Sequence, residues 1–201
     1  GNLPGDGKPA LVGDSGGERL LIAGGIPLKG VVRASGCKNA AVALLPAAVL
    51  VPGASCFLGV PAIKDISVLC TLLDSIGIVC ELEPSGGLWV DTSAARPQEA
   101  PAPLCRQLRA SVYLLGALLG RFGEADVPFP GGCDIGTRPV DLHLKGLRAL
   151  GAEVMVSHGS VKARARRLRG AAVYLDVTSV GATINTMMAA VTAEGMTAIH
   201  N

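Results

Sequence analysis

Gly53-Ala-Ser-Cys-Phe-Leu58 begins with a glycine, follows a run rich in alanine and leucine, and continues with residues typical of a strand. The arrangement returns in Gly123-Glu-Ala-Asp-Val-Pro128, 70 residues later, and in Gly195-Met-Thr-Ala-Ile-His200, after a further 72. A constant spacing of this size is typical of a repeat in which each copy packs on its neighbour. The sequence therefore predicts a fold built from successive copies of one unit.

A second pair of landmarks shares this period. Leu73-Asp-Ser-Ile-Gly77 matches Leu147-Arg-Ala-Leu-Gly151 with an offset of 74 residues. The apolar residues around these landmarks recur at helical spacing; they are Ile66, Leu69, Leu73 and Ile76 in one copy and Val140, Leu144 and Leu147 in the next. Gly77 and Gly151 are predicted to end their helices in the left-handed conformation.

Each complete unit is predicted to run strand, helix, strand, helix, strand, strand, which is an α+β arrangement. The closing strand pairs are 78–83 with 88–92 and 153–157 with 161–166. A third unit begins at Val173 and has one helix over 182–193 and one further strand, without a second helix or a closing pair. We therefore expect uncovered apolar surface, and predict that the chain is a fragment or is completed by another polypeptide.

Composition excludes several classes of function. The 201 residues are 49% hydrophobic and 17% charged, so the chain folds, apart from a glycine-rich flexible leader predicted over residues 1–18. A net charge of +2 and 3% aromatic residues argue against a nucleic-acid partner. The longest apolar run, 40–52, contains two prolines and is too short to cross a membrane. Because no secretory signal precedes it, we expect a cytoplasmic protein without a membrane anchor.

The cysteines and histidines do not predict a metal site. None of the six cysteines forms a C-x-x-C pair, and the three histidines are scattered along the chain. We expect free thiols, most of them buried.

Short polar or basic residues open the first helix of each unit. They lie in Ser35-Gly-Cys-Lys-Asn39, Arg109-Ala-Ser111 and Ser179-Val-Gly-Ala-Thr183. Helix N-termini attract anions, so three of them at one end of a repeat structure predict an anion site, to which Lys38 and Arg109 add full charges. The alternative is ordinary capping by Ser35 and Ser179, with the basic side chains solvated.

In the second unit, the stretch Pro130-Gly-Gly-Cys-Asp-Ile-Gly-Thr-Arg-Pro-Val-Asp-Leu-His143 contains an insertion of six residues relative to the first unit. Its glycines let the backbone approach a ligand. Arg138 follows Cys133 by five residues, and a positive charge near a cysteine favours the reactive thiolate. Packing of Cys133 as a small apolar side chain is the alternative.

Together, the three helix starts and the 130–143 insertion closely resemble the UDP-N-acetylglucosamine enolpyruvyltransferase (1-carboxyvinyltransferase) family, from about Arg19 to Asn201. The resemblance implies an α/β prism fold: two similar domains, each with three repeats, helices inside and sheets outside, and a cleft between the domains. This chain would be the N-terminal part, with its first domain incomplete at the third repeat and the second domain absent. The family's opening strand, here near residues 20–23, would belong to that second domain.

The implied reaction transfers enolpyruvyl from phosphoenolpyruvate to the 3-hydroxyl of UDP-N-acetylglucosamine, in peptidoglycan synthesis, without metal or organic cofactor. Lys38 and Asn39 would contact phosphoenolpyruvate, Arg109 and Arg138 would offset negative charge, and Cys133 would donate a proton. Binding of the uridine nucleotide is implied for Arg138, Pro139, Val140, Asp141, Leu142, Thr178, Ser179, Val180 and Gly181. The sequence departs from some members at Val177, where they have a lysine.

The general base and a further arginine of the family would lie beyond Asn201. We therefore do not expect this chain alone to catalyse the reaction. Alternatives are an enolpyruvyltransferase for another uridine nucleotide and a non-catalytic module that binds a nucleotide. A shikimate-type enzyme fits less well, because it lacks the Gly-Gly-Cys loop.

Overall fold

The computed structural model describes residues 22, 24, 25, 27, 29–83, 86–131 and 140–201. The chain divides into two units, 1–34 and 35–201. The described residues of the first unit form neither helix nor strand, and the predicted leader, 1–18, lies outside the described residues.

Six α-helices form in the described part of residues 35–201. They are α1 (Lys38–Ala47), α2 (Lys64–Asp74), α3 (Ala102–Cys105), α4 (Tyr113–Phe122), α5 (Asp141–Ala149) and α6 (Val180–Ala190). A 3₁₀ turn, Ala48–Leu50, extends α1, and another, Arg109–Val112, leads into α4. With these turns included, the first helices of the first two units run over 38–50 and 109–122.

Eight strands form three small sheets. They are β1 (Ala54–Phe57), β2 (Val79–Leu82), β3 (Leu88–Asp91), β4 (Glu124–Pro128), β5 (Glu153–Ser157), β6 (Ser160–Arg164), β7 (Ala172–Tyr174) and β8 (Ala198–His200). The first two sheets have the antiparallel orders β1-β3-β2 and β4-β6-β5, so the closing strand pair of each unit joins the strand before it. In the third sheet β7 and β8 are parallel, with α6 connecting them.

Glycines in the left-handed region mark the period that the sequence predicts. Gly53, Gly123 and Gly195 have φ of 106°, 74° and 88°, and each precedes a strand. Gly77 and Gly151 have φ of 83° and 90° just after α2 and α5. A side chain strains this backbone, which explains why glycine recurs at these points.

The core lies between the helices and the sheets. Helix α4 is enclosed on all sides, since every residue from Leu114 to Leu119 is buried. Strands β2 and β5, in contrast, are largely exposed. The predicted arrangement of helices inside and sheets outside is confirmed.

The opening strand of the second unit is a wrong prediction. Residues 95–101 form neither helix nor strand, and Ala100 N–H donates a hydrogen bond to the Asp126 carbonyl at 3.3 Å. Prolines at 97 and 101 lack the N–H groups that a ladder of hydrogen bonds needs. Only the third unit shows its opening strand, β7, among the described residues.

The cysteines are free, as expected, but they are less buried than predicted. Of the five described, Cys105 is buried, Cys70 and Cys80 are half-buried, and Cys37 and Cys56 are exposed. Exposed and half-buried residues alternate along β1, and Cys56 is one of the exposed residues. The apolar residues next to it in the sequence do not show which face of the strand is exposed.

Candidate functional site

Lys38 and Asn39 begin helix α1, and both are exposed. Lys38 Nζ lies 2.5 Å from Asp65 Oδ2, in the first turn of α2. Asp65 was not predicted as a partner of Lys38. The signal in the sequence was an acidic residue in the first turn of a predicted helix. Its negative charge interacts favourably there with the positive end of the helix dipole.

Arg109 begins the 3₁₀ turn that leads into α4 and is half-buried. Its positive charge acts on two neighbouring side chains, Tyr113 and His143. Burial raises the pKa of the Tyr113 hydroxyl, and Arg109 opposes that rise. Burial, together with a smaller contribution from the charge of Arg109, lowers the pKa of His143 to about 4.

His143, in the first turn of α5, is only 4% exposed. Its Nδ1 lies 3.0 Å from the side-chain Nδ2 of Asn185 on α6. Asn185 is fully buried and was not singled out in the sequence, although an asparagine inside an apolar helix is itself a signal of a buried polar contact.

The Asn185 amide is fixed by three hydrogen bonds. Its Oδ1 accepts from the Gly116 N–H at 2.8 Å, and its Nδ2 donates to the Val112 carbonyl at 3.1 Å as well as to His143. Gly116 and Val112 both lie at the start of α4. Asn185 therefore ties the start of α4 to His143.

Two glycines allow these helices to approach. A Cβ on Gly116 would lie 2.2 Å from the Asn185 carbonyl oxygen, and a Cβ on Gly146 would lie 1.9 Å from Thr186 Oγ1. Any larger residue would separate α4 from α6, or α5 from α6. The glycines therefore bring the starts of these helices together.

Gly181 lies where these side chains converge. A Cβ at this position would be 3.4 Å from His143 Nε2 and 3.6 Å from the Tyr113 hydroxyl oxygen. Ser179 caps α6, with its Oγ accepting from the Ala182 N–H at 3.3 Å. The prediction of capping by Ser179 is confirmed; for Ser35 it is wrong, because Cys37 is the capping residue of α1.

The other predicted nucleotide residues lie at the starts of α5 and α6. Val140 is buried before α5, Asp141 is exposed, and Leu142 is half-buried. Thr178 donates from Oγ1 to Asn201 Oδ1 at 3.1 Å, and Val180 is 71% exposed. These two groups are neighbours because α5 packs against α6.

Cys133, Arg138 and Pro139 lie outside the described residues. The residues that flank them are described. Gly131 N–H donates to the Cys105 carbonyl at 3.2 Å, close along the chain to Arg109, and Val140 leads directly into the helix that carries His143.

A second concave region lies at the opposite ends of α4, α5 and α6. It has a volume of about 950 Å³ and is lined by Gly151, Glu153, Arg164, Ala165, Arg166, Arg167 and Arg169. Arg167 pairs with Glu194 at 3.0 Å, and positive side chains are favourable near the negative ends of helices. These features give the arginines a structural role.

The described residues contain no group of three or more His, Cys, Asp or Glu side chains that could hold a metal ion. Nor does the described part of the chain contain a helix long and apolar enough to cross a membrane.

Comparison with known proteins identifies the family. A family model described as EPSP synthase (3-phosphoshikimate 1-carboxyvinyltransferase) matches residues 22–201. The chain belongs to the EPSP synthase family. This confirms the resemblance to enolpyruvyltransferases that the sequence predicts.

Several relatives within the EPSP synthase family carry a more specific name. UDP-N-acetylglucosamine 1-carboxyvinyltransferase 3 of Symbiobacterium thermophilum is 52% identical over 183 residues, which cover 90% of this chain and 43% of that protein. UDP-N-acetylglucosamine 1-carboxyvinyltransferase 2 of Bacillus subtilis is 51% identical over 184 residues, with coverages of 92% and 43%. The chain thus spans less than half the length of these relatives.

Solved structures of family members share the fold. The enolpyruvyl transferase NikO of Streptomyces tendae matches with a TM-score of 0.73 and 26% identity, over 88% of this chain and 41% of that one. EPSP synthase of Acinetobacter baumannii matches with a TM-score of 0.64 and 17% identity, over 83% of this chain and 39% of that one. The predicted α+β enolpyruvyltransferase fold is confirmed.

Proposed function

We propose that the whole protein, of which this chain forms the N-terminal part, transfers enolpyruvyl from phosphoenolpyruvate to the 3-hydroxyl of UDP-N-acetylglucosamine. The reaction is an addition followed by an elimination. The sugar hydroxyl gives its proton to a base as its oxygen bonds to C2 of phosphoenolpyruvate, and C3 gains a proton. C3 then loses a proton as the bond from C2 to the phosphate oxygen breaks and phosphate leaves.

The convergence of Arg109, His143 and Gly181 at the starts of α4, α5 and α6 carries this proposal. Both substrates are anions, and the reaction releases phosphate. A site for them needs positive charge and hydrogen-bond donors fixed in place before the substrate arrives. The half-buried Arg109, the buried His143 and the N-terminus of α6 supply these features.

Within this proposal Lys38 and Asn39 bind phosphoenolpyruvate, and Arg109 and Arg138 offset its charge and that of the intermediate. Cys133 protonates C3. The anchoring of Gly131 beside Cys105, together with the position of Val140 at the start of α5, supports placing the segment between them at this site.

The nucleotide is proposed to lie along two segments, 138–142 and 178–181. The neighbouring starts of α5 and α6 support this placement. Val177 is 62% exposed and stands where the resemblance places a lysine in some family members, so we expect one charge contact to the diphosphate to be lost or replaced.

Identity near 50% to relatives named UDP-N-acetylglucosamine 1-carboxyvinyltransferase favours this acceptor over shikimate 3-phosphate. The alternative of another uridine nucleotide as acceptor stays open to experiment. We also expect the second domain of the protein to complete the site, because the chain covers less than half of its relatives.

The test is phosphate release by the full-length protein. Phosphoenolpyruvate is supplied with UDP-N-acetylglucosamine, with UDP-glucose or with shikimate 3-phosphate, and the product mass is measured. We expect release with the first acceptor, and a product heavier by one enolpyruvyl group. Release with shikimate 3-phosphate alone, or with none of the three, would overturn the proposal.

Replacement of the proposed proton donor gives a second test. Cys133→Ser is expected to lower kcat by a factor on the order of 10² to 10⁴, as for the loss of a general acid. The exposed Cys56, changed to serine, is the matched control and should leave turnover unchanged.

A further inference from the structure

Two cysteines of the first repeat unit meet between α2 and β2. Cys70 lies in the middle of α2, and Cys80 lies in β2 opposite Val90, which is fully buried. Paired residues of neighbouring strands point to the same face of a sheet, so Cys80 points towards the core, against which Cys70 also packs. The two thiols share a hydrogen bond. Both side chains are half-buried, so the pair remains partly accessible to solvent.

The second repeat unit shows that the fold brings these two positions together. The offset of 74 residues relates Cys70 to Leu144 on α5, and Cys80 to Val154 on β5. Helix α5 packs against β5 as α2 packs against β2. Apolar side chains are sufficient for this contact in the second unit. The repeat therefore does not require sulfur here, and the pair of thiols is a chemical feature of the first unit alone.

The connection between α2 and β2 holds the two thiols in place. Gly77, with φ of 83°, follows α2, and the Ile78 N–H donates to the Leu73 carbonyl at 3.1 Å. The Arg96 N–H donates to the Ile76 carbonyl at 3.1 Å and fixes the same connection from a later part of the chain. A reaction between two groups is favoured when the fold holds them close together beforehand.

The surroundings make the two thiols chemically unequal. The hydrogen bond from Cys80 lowers the pKa of the Cys70 thiol, while burial opposes this change. The same hydrogen bond, burial and the negative charges of Cys70 and Asp74 raise the pKa of the Cys80 thiol. Because the thiolate is the form that attacks a disulfide, Cys70 is the thiol that reacts first with a reagent from solution.

We propose that Cys70 and Cys80 form a redox-active dithiol, which small-molecule disulfides convert reversibly into an intramolecular disulfide between α2 and β2. The Cys70 thiolate bonds to one sulfur of the small disulfide, and the other sulfur leaves as a thiolate. Cys80 then loses its proton, its sulfur bonds to Cys70 Sγ, and the second small thiolate leaves. Two protein thiols are thus oxidised, one small disulfide is reduced, and the two cysteine protons end on the two small thiols. This inference does not depend on the proposed function.

The experiment treats the full-length protein with 2-hydroxyethyl disulfide, an uncharged reagent that Asp74 does not repel. Remaining thiols are blocked with iodoacetamide in urea, and the protein is cut after aspartate and glutamate. The cuts place Cys70 in peptide 66–74 and Cys80 in peptide 75–81. We expect mass spectrometry to find these peptides joined, and separated again by dithiothreitol. Unjoined peptides in a sample where the exposed Cys56 has reacted would overturn the inference.

Single replacements assign the order of the two steps. Cys80→Ser is expected to retain the hydroxyethylthio group on Cys70, because the serine hydroxyl still donates a hydrogen bond but cannot displace the group. In Cys70→Ser we expect Cys80 to react at least about tenfold more slowly than Cys70 does in Cys80→Ser. Cys56→Ser is the matched control and should form the bridge as wild type does. Equal rates in the two single variants would overturn the assignment of Cys70 as the attacking thiol.

Oxidation of the wild type at equilibrium tests the geometry even if a variant fails to fold. The joined fraction is measured at a fixed concentration of 2-mercaptoethanol and increasing 2-hydroxyethyl disulfide, in buffer and in concentrated urea. Because the fold holds the thiols together, we expect the folded protein to be half converted at a disulfide concentration at least about tenfold lower than the unfolded chain needs. An equal or higher requirement in the folded protein would overturn the inference.

Discussion

The ammonium group of Lys38 lies 2.5 Å from a carboxylate oxygen of Asp65, so an ion pair joins the first turns of helices α1 and α2. The side chains of Lys38 and Asp65 are 54% and 34% exposed. A pair this exposed contributes little to stability. Its consequence is geometric, since Asp65 limits where Lys38 can reach.

Asp65→Asn is therefore expected to change activity more than stability. In the full-length protein we expect kcat/KM for phosphoenolpyruvate to fall about tenfold, because Lys38 is less well positioned, while the free energy of unfolding changes by less than about 1 kcal/mol. Steady-state kinetics and urea unfolding measure the two effects. Lys64→Gln is the control, because Lys64 is exposed and precedes Asp65 in the chain. If the Asp65→Asn enzyme is as active as this control, Lys38 is positioned by other groups.

His143 predicts a dependence of stability on pH. Its pKa is about 4 in the folded protein and near 6.5 when unfolded, so below pH 6.5 the unfolded chain binds a proton that the folded protein does not. The contribution of His143 to stability is therefore complete above pH 6.5 and falls between pH 6.5 and 4, by up to about 3 kcal/mol. Urea unfolding at several pH values measures this loss.

Carboxylates titrate in the same range, so the difference between wild type and His143→Asn isolates the histidine. We expect the variant to lose less stability between pH 6.5 and 4. Parallel curves for the two proteins would mean that His143 titrates normally in the folded state.

Gly146 predicts a steric effect at the contact between α5 and α6. A Cβ would lie 1.9 Å from Thr186 Oγ1, so Gly146→Ala is expected to destabilise the protein by about 1 to 3 kcal/mol. Thr186 Oγ1 is buried without a hydrogen bond in the described structure, so Thr186→Ala removes both the clash and an unpartnered polar atom. The double variant should therefore recover part of the loss, and additive effects in urea unfolding would argue against a direct contact.

The cysteines are expected to react with iodoacetamide in the order of their exposure. Cys37 and Cys56 are exposed, whereas Cys105 is buried, and burial raises its pKa to about 11. At pH 8 we therefore expect modification of Cys37 and Cys56 while Cys105 stays protected, as measured by peptide mass spectrometry. Modification of Cys105 at the same rate would contradict the packing around α3.

Local rules explain why the repeat could be predicted from sequence. Gly77 and Gly151 end helices in a conformation that other residues avoid, and the apolar positions before them follow the helical period, so both signals are present in the chain itself. The second unit lacks its predicted opening strand at 95–101 because the prolines there remove hydrogen-bond donors that a strand would use.

The candidate site was predictable only in part. Lys38 and Arg109 stand out because charged residues at helix starts are informative on their own. Asp65 and Asn185 do not stand out, since their roles depend on partners that are distant in sequence: Asn185 hydrogen-bonds Gly116, 69 residues earlier. Such pairs are created by packing between units, which the spacing within a unit does not specify.

The contact between Asn185 and Gly116 has a consequence for the exchange of repeats between related enzymes. The third repeat completes the helix start that carries Arg109, because Asn185 supplies the partners of the Val112 carbonyl and the Gly116 N–H. A chimera that takes α4 from one parent and α6 from another would lose both hydrogen bonds unless an asparagine and a glycine met again at this crossing. Helices α4 and α6 should therefore be inherited together.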